Sequence, residues 1–524
     1  MSGTVAVASA RDRWLTRPIR EERGGHAQHV VSQGRHPRFA RHRPRMTLHR
    51  ARHRATAVED ATSPASPQVP SSNGAMPGRL GVNVLVYYLT VVAAAVVGLV
   101  TTPILIHHLG TVRYGVWALV GSVVVYLELL ELGVGAATTK LVAEDAKRRT
   151  DAVIRTLNTN VFVLGVFGLV AVVVGIALAP HATGWFNIPA GLRHQAFIAL
   201  LVMTIAVSVS IPFDALGGAL TAYERVDLLS VSNMVRALTA GIGGAVAAVL
   251  GGGIVAVTVV TAACGISVHY LRWRMLAGLV PGLRLSPRLI ERPTLRITAG
   301  LSGWFMLRDA TTVIITRLDL VVVGVMLDIR AVAVYSVALK LSQIGIRALQ
   351  PFTALFFPRA SALSADRDAA GLAALLVDGT RVSLVVATPL TLILALLARP
   401  ALVAWVGGGF DEAVSVLVLL AVARGLAAVT ETAWWMLGGA GYIKRTSTLS
   451  VVEAVVNLGS SIALAPVLGP AGVAAGSLIG VVSARLPVAL TVSGRLAGLS
   501  TGTIARRAIV PHLVPSVLTA GAMV

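Results

Sequence analysis

From Val82 almost to the C terminus the chain repeats one unit, an apolar run of about 20 residues followed by a short polar connection. At a rise of about 1.5 Å per residue, such a run crosses a hydrocarbon core of roughly 30 Å. The runs begin near Val82, Gly115, Val153, Ala196, Leu228, Ile254, Ile297, Ala331, Leu375, Ala413, Thr446 and Gly472. A helix satisfies its own backbone polar groups in lipid, so the pattern predicts an all-α polytopic membrane protein of about twelve transmembrane helices. A last run, 508–524, carries Pro511 and Pro515 and is expected to be an incomplete thirteenth helix. With 55% hydrophobic and 13% charged residues, the chain is not a soluble enzyme.

The formal charge of +21 is unevenly placed. Residues 11–54 hold thirteen arginines, six histidines and no lysine, with little hydrophobic periodicity. Such a stretch has no core to form, and 1–78 is expected to be a disordered cytosolic tail. The alternative is an upstream-extended start, since Met46 and Met76 both precede the first span. No apolar segment follows the arginines before residue 80, so the tail is a poor match to a signal peptide. His26 and His29 in "GHAQH" reflect composition and not a metal site, and the single Cys264 permits no intramolecular disulfide and no thiolate cluster.

The remaining cations alternate between loops, which is a topological signal and not a nucleic-acid footprint. One set of loops holds eighteen lysines and arginines, among them Lys140, Arg225, Arg272, Arg284, Arg292 and Arg445. The alternating set holds four: Arg113, Arg193, Arg330 and Arg399. By the positive-inside rule the N terminus and the loop 272–296 are expected on the cytoplasmic side. The outer loops are short and leave no room for a catalytic domain.

Internal repetition divides the runs. "LGTVRYGVW" (109–117) matches "LDIRAVAVY" (327–335), "LG" at 250–251 recurs at 468–469, and "LGGALTAYER" (216–225) is echoed by "LGGAGYIKR" (437–445). These fall at equivalent helix ends, and predict two six-helix lobes, 79–271 and 297–494, joined by a basic linker, 272–296, and followed by a basic C-terminal segment, 495–524. Six is even, so both lobes enter from one side. The repeat is parallel, with its axis along the membrane normal and a central cavity between the lobes.

"ILIHHLGTVRYGVWALVGSVVVYLELLELGVG" (104–135), "LDLVVVGVMLDIRAVAVYSVALKL" (318–341) and "VLGPAGVAAGSLIG" (467–480) resemble the polysaccharide transporter family. These are O-antigen and exopolysaccharide flippases of the multidrug/oligosaccharidyl-lipid/polysaccharide exporter superfamily. The resemblance covers about 80–500 and rests on glycines, aromatics and their spacing, with no catalytic signature. It implies a two-lobed transporter in the bacterial inner membrane that moves lipid-linked oligosaccharide to the outer leaflet by alternating access. Membrane lipids, a polysaccharide polymerase and glycosyltransferases are its implied partners.

Ionisable residues inside the spans cost about 2.5–3.5 kcal/mol each on insertion scales, so their presence marks function or pairing. In the seventh span, Arg308, Asp309, Thr312, Thr316 and Asp319 fall on one helical arc, which is expected to face the cavity, with Arg317 opposite. In the eighth, Ser336, Lys340, Gln343, Arg347 and Gln350 form a polar stripe expected to line an aqueous path. Arg424 and Glu431 superpose along the tenth span, either as an ion pair or in transport. Glu453 and Asn457 share a face of the eleventh. The candidate substrate-binding residues are Arg308, Lys340, Gln343, Arg347 and Arg424, because guanidinium forks and ammonium suit a pyrophosphate. Glu128, Asp309, Asp319 and Glu431 are the candidates for coupling to a proton or sodium ion. Glu128 is preferred over Glu131 and Asp214, which lie nearer the cytoplasmic ends.

Two other readings compete. A multidrug extruder of the same superfamily needs an acidic, aromatic-rich pocket, whereas this chain is 5% aromatic with cations in its spans. A membrane polymerase or ligase needs an outer acceptor site that the short loops do not supply. No zinc-ligand spacing, nucleophile elbow or phosphate-cradling loop appears, so neither a cofactor nor an enzymatic reaction is expected.

Overall fold

The computed structural model describes residues 77–512 apart from 132, 148 and 355. The expected tail up to residue 76 and residues 513–524 of the final run lie outside them, as do the side chains of 301–317 and 344–352. Among the described residues the structure is helical, with no strand. The first half comprises α1 (Pro77–Leu109), α2 (Thr111–Val124), α3 (Val134–Ala146), α4 (Thr150–Trp185), α5 (Arg193–Ser210), α6 (Asp214–Ala222), α7 (Val226–Val249) and α8 (Gly253–Ala277). The second comprises α9 (Arg292–Met326), α10 (Ile329–Ala354), α11 (Phe356–Ala365), α12 (Ala369–Leu396), α13 (Ala398–Val406), α14 (Glu412–Gly439), α15 (Ile443–Leu468), α16 (Pro470–Gly480) and α17 (Leu486–Leu496).

Eight of these elements, taking α5–α6 and α16–α17 as continuous, are long and apolar enough to cross a membrane. The pair α2–α3, the helix α7, the helix α9 and the pair α10–α11 fill the second, fifth, seventh and eighth places, consistent with twelve passages. Several passages are interrupted, and each interruption has a local cause. A 3₁₀ turn, Leu127–Glu131, followed by Gly133 at φ 92°, separates α2 from α3. Pro212 lies in the 3₁₀ turn Ile211–Phe213 between α5 and α6, where its missing N–H breaks the α ladder. A π turn, Val481–Arg485, precedes α17 and its Pro487.

The two halves use one packing scheme. In the first, α1 packs on α7, α3 on α6, α4 on α5, α8 on α5 and α7 on α8. In the second, α9 packs on α15, α10 on α14, α12 on α14, α16 on α14 and α15 on α16. These are the same five passage pairs, so the parallel repeat is a property of the structure. Its turns repeat as well. Gly251 (φ 77°) and Gly469 (φ 59°) both take the left-handed conformation between the last two passages of their halves, where a side chain would be strained.

Hydrophobic packing shows how the halves meet. On the face away from the linker one continuous core joins them: Tyr114, Leu119 and Ile254 of the first half lie in the same cluster as Val323, Val332 and Leu417 of the second. On the linker side the described residues form separate clusters. Leu157, Leu216 and Leu276 form one, and Leu376, Met436 and Ala489 form another. The halves therefore share a core on the face opposite the linker, while on the linker side α9 crosses to α3 and α4, with Thr298 Oγ1 donating to Asn160 Oδ1 at 2.7 Å. The linker itself is tied to α4: Asn158 receives the Ser286 N–H at 2.6 Å and donates to the Arg284 carbonyl at 2.9 Å, while Arg155 pairs with Glu291 at 2.9 Å.

Candidate functional site

At the closed junction, Lys340 of α10 reaches across to the first half. Its Nζ donates to Thr102 Oγ1 of α1 at 3.1 Å and lies 5.4 Å from the ring centres of both Tyr114 and Trp117 on α2. Hydroxyl and aromatic faces stabilise an ammonium at low desolvation cost. Among the described residues no carboxylate pairs with it. Two further bonds cross the junction: Asn187 Nδ2 to the Leu327 carbonyl at 2.5 Å, and Trp405 Nε1 to the Leu99 carbonyl at 2.6 Å. Gly115 of α2 abuts the Ile329 carbonyl so closely that a Cβ there has no room.

The polar stripe of the eighth passage thus turns toward the other half, as far as it is described. Ser336 is buried and bonds back to the Ala333 carbonyl at 2.9 Å, and Gln343 is half-buried. Arg347 lies outside the described side chains, as do Arg308, Asp309 and Arg317 of the seventh passage.

Asp319 departs from the expected arc. It points into the second half, where its residue is 7% exposed. Its Oδ2 accepts from Tyr335 Oη at 2.7 Å and from Ser477 Oγ at 2.8 Å, and its Oδ1 from Asn457 Nδ2 at 3.5 Å. Ser461 completes the set by donating to Asn457 Oδ1 at 3.0 Å. Four helices, α9, α10, α15 and α16, therefore converge on one carboxylate. Arg424 of α14 acts on it electrostatically, and also on Glu453, which is buried one turn from Asn457. A cavity-facing carboxylate would be solvated; this one is satisfied by protein donors, which offsets the several kcal/mol that burial of an ion costs.

Glu431 does not pair with Arg424. Its partner is Arg485 of the π turn, at 2.6 Å, which also donates from Nε to Thr430 at 2.8 Å and stacks 5.2 Å above Trp434. Trp435 Nε1 donates to the other Glu431 oxygen at 3.1 Å. The first half has a counterpart. Arg272 of α8, counted among the loop cations, is 6% exposed inside the protein and pairs with Asp214 at 2.8 Å. In both halves a carboxylate on the fourth passage meets an arginine on the sixth. Each of these pairs also involves a helix interruption, since Asp214 follows the Ile211–Phe213 turn and Arg485 lies in the π turn.

Glu128 is exposed at the start of the 3₁₀ turn, and Glu131 at its end is the more enclosed carboxylate. Arg485 escaped the sequence reading altogether. The signal for it was an arginine two residues before Pro487 within an apolar run. Tyr335, Ser477 and Thr102 had no signal, because neutral polar side chains are common in transmembrane helices.

Two similar halves of a helical membrane protein, sharing one core on the face opposite the linker and each holding buried charges, define a two-lobed multi-pass membrane protein. Solved structures share this fold. An inward-facing multidrug resistance MATE family transporter of the MOP superfamily superposes with a TM-score of 0.66 at 14% identity, covering 80% of this chain and 99% of that one. An outward-facing MATE family transporter gives 0.56 at 16% identity, covering 81% and 96%. A MOP superfamily transporter from Pyrococcus furiosus, described as having a binding pocket of reversed polarity, gives 0.57 at 13%, covering 82% and 99%. No curated protein matches the chain. A family model described as "Polysaccharide biosynthesis protein" matches residues 80–364. The chain belongs to that polysaccharide biosynthesis protein family.

Proposed function

We propose that this exporter moves an anionic, pyrophosphate-linked oligosaccharide lipid across the bacterial inner membrane by alternating access, without itself catalysing a covalent reaction. The observation that carries the reading is the charge at the junction. Asp214 and Glu431 are paired with arginines and Asp319 is bound by neutral donors, while Lys340 between the halves has no carboxylate partner among the described residues. These three carboxylates engaged, and a cation with no carboxylate partner among the described residues, suit an anionic head group and not an organic cation.

Arg308 and Arg347, on the passages that carry Asp319 and Lys340, extend this cationic lining in the reading, with Gln343 donating to sugar hydroxyls. The linker side, with Arg274, Arg284, Arg288 and Arg296, is cytoplasmic by the positive-inside rule, and the N terminus lies on the same side. The linker side is then the entrance from the cytoplasmic leaflet. Glycosyltransferases supply the cargo there and a polymerase uses it on the other side. Asp319 and Glu431 are candidates for coupling the cycle to an ion gradient.

The test is the double variant Lys340→Ala/Arg347→Ala expressed in the native host. The expected result is loss of surface glycan with the protein still inserted at wild-type level. Unchanged surface glycan would remove Lys340 and Arg347 from the cargo site.

A further inference from the structure

The surroundings of Lys340 form a site of their own on the first half. Tyr114 and Trp117 are three residues apart on α2, so their rings share one side of that helix, with centres 5.9 Å apart. The ammonium lies 5.4 Å from each centre. Thr102 Oγ1, which accepts from Lys340 Nζ at 3.1 Å, gives its own proton to the Gly98 carbonyl at 2.6 Å, so only its lone pairs are offered to the junction. Two aromatic faces and one acceptor attract a cation and repel an anion. Thr102 and Tyr114 are fully buried. The first half thus holds a preformed ammonium cage, and the second half fills it with its own side chain.

Two observations set this cage apart from ordinary packing. A buried phenol normally finds a hydrogen-bond partner, but none of the described residues supplies one to Tyr114 Oη, so the ring is held by its face. The direction of Lys340 is the second. Gly115 abuts Ile329 at the first turn of α10, and Lys340, eleven residues further along, reaches back toward that end to meet Tyr114. Gln343 lies about one turn nearer the linker side on the same stripe. A head group entering from the linker side therefore meets Lys340 from the other direction. Its charge-assisted bonds are stronger than those to a neutral hydroxyl, and one ammonium cannot reach both. Taking Lys340 empties the cage.

We propose that Thr102, Tyr114 and Trp117 select the cargo by holding Lys340 across the junction opposite the linker until a pyrophosphate takes the ammonium. Every anion that takes Lys340 must overcome the same cage. A weakly bound phosphodiester of the surrounding lipid then leaves the halves joined, and a doubly charged pyrophosphate lets them part. This rests on the cargo proposed above, and it gives three residues of the first half a role in choosing that cargo through Lys340.

The test follows the distance between spin labels at Val112 and Asp328, both exposed, by double electron–electron resonance on the full-length Cys264→Ser protein in phosphatidylcholine vesicles. Geranylgeranyl pyrophosphate should raise the separated fraction, and phosphatidylglycerol in the vesicles should not. Without ligand, Tyr114→Leu/Trp117→Leu should raise the ratio of separated to joined protein on the order of tenfold, and lower the pyrophosphate concentration for half-maximal opening by the same factor. Thr102→Val, close in shape, should shift both in the same direction and covers the case in which the double variant does not fold. In Lys340→Met these substitutions should add nothing; additive effects mean general loosening and overturn the proposal. Tyr114→Phe keeps the ring face and should stay as joined as wild type, and separation there overturns the role of the ring. Opening of wild type by phosphatidylglycerol alone, or by tetraphenylphosphonium entering the cage, overturns the selection. Glycolipid transfer in the same vesicles separates this proposal from the cargo reading. Transfer by wild type with a junction indifferent to pyrophosphate overturns the cage and leaves the cargo standing, whereas a pyrophosphate response without transfer supports the cage and counts against the cargo.

Discussion

Trp405 of α13 donates its indole N–H to the Leu99 carbonyl of α1 at 2.6 Å. That carbonyl is the one left without its intrahelical partner by Pro103, four residues on, which has no N–H to give. One lobe therefore completes the backbone bonding of the other. Trp405→Phe keeps the packing and leaves the Leu99 carbonyl unsatisfied at the junction, a loss of about 1–3 kcal/mol of closure. Each 1.4 kcal/mol is about tenfold in population. Double electron–electron resonance between labels at Val112 and Asp328, both exposed on the closed face, should show a larger separated fraction, in a Cys264→Ser background. An unchanged distance distribution contradicts the role of the bond.

Gly115→Ala should act at the same junction through sterics. The added Cβ meets the Ile329 carbonyl, which is backbone and cannot rotate away, so α2 and α10 must part. Overpacking of this kind costs about 1–3 kcal/mol. The same label pair should report separation, accompanied by a lower unfolding temperature in detergent.

Arg485→Ala removes the partner of Glu431 and should destabilise the second half by about 3–5 kcal/mol, because a carboxylate is left unpaired within the protein. The double variant Arg485→Ala/Glu431→Ala should be closer to wild type than Arg485→Ala alone. Thermal unfolding of the three variants forms a double-mutant cycle, and simple additivity would show that the 2.6 Å contact contributes nothing.

Asp319→Ala should cost more than a surface change of equal size, since Tyr335, Ser477 and Asn457 lose a common acceptor. Each buried donor left unsatisfied costs about 1–3 kcal/mol. Asp319→Asn retains a carbonyl oxygen and should lose less. Unfolding temperatures in the order wild type, Asn, Ala check this.

The length of the apolar runs and the repeat were legible because both are set locally. A span needs its length whatever surrounds it, and a left-handed turn needs a residue such as Gly251 or Gly469 wherever it occurs. The eighth-passage stripe was legible for the same reason, since helical spacing alone puts Ser336, Lys340 and Gln343 on one side. What lies opposite that side was not, because Thr102, Tyr114 and Trp117 come from the other half.

Partners of charges were the least legible feature. Glu431 and Arg424 superpose in projection, yet seven residues are about 10 Å along a helix axis, beyond ion-pair reach. Its actual partner, Arg485, is brought near by the packing of α14 against the twelfth passage. Arg272 was read as a loop cation from its place at the end of an apolar run, but α8 continues to Ala277 and Asp214 draws the side chain inward. Asp319 was assigned to a cavity by its angle on one helix, whereas its donors come from three others.

Export of a pyrophosphate-linked glycolipid is tested most directly by its accessibility in vesicles. The full-length protein is reconstituted with a fluorescent lipid-pyrophosphate oligosaccharide confined to one leaflet, and a membrane-impermeant reductant reports the fraction that has crossed. Transfer should exceed that of protein-free vesicles and fall to their level in Lys340→Ala/Arg347→Ala. Transfer equal to protein-free vesicles with folded wild-type protein, alongside transport of an organic cation in the same vesicles, would contradict the proposed cargo.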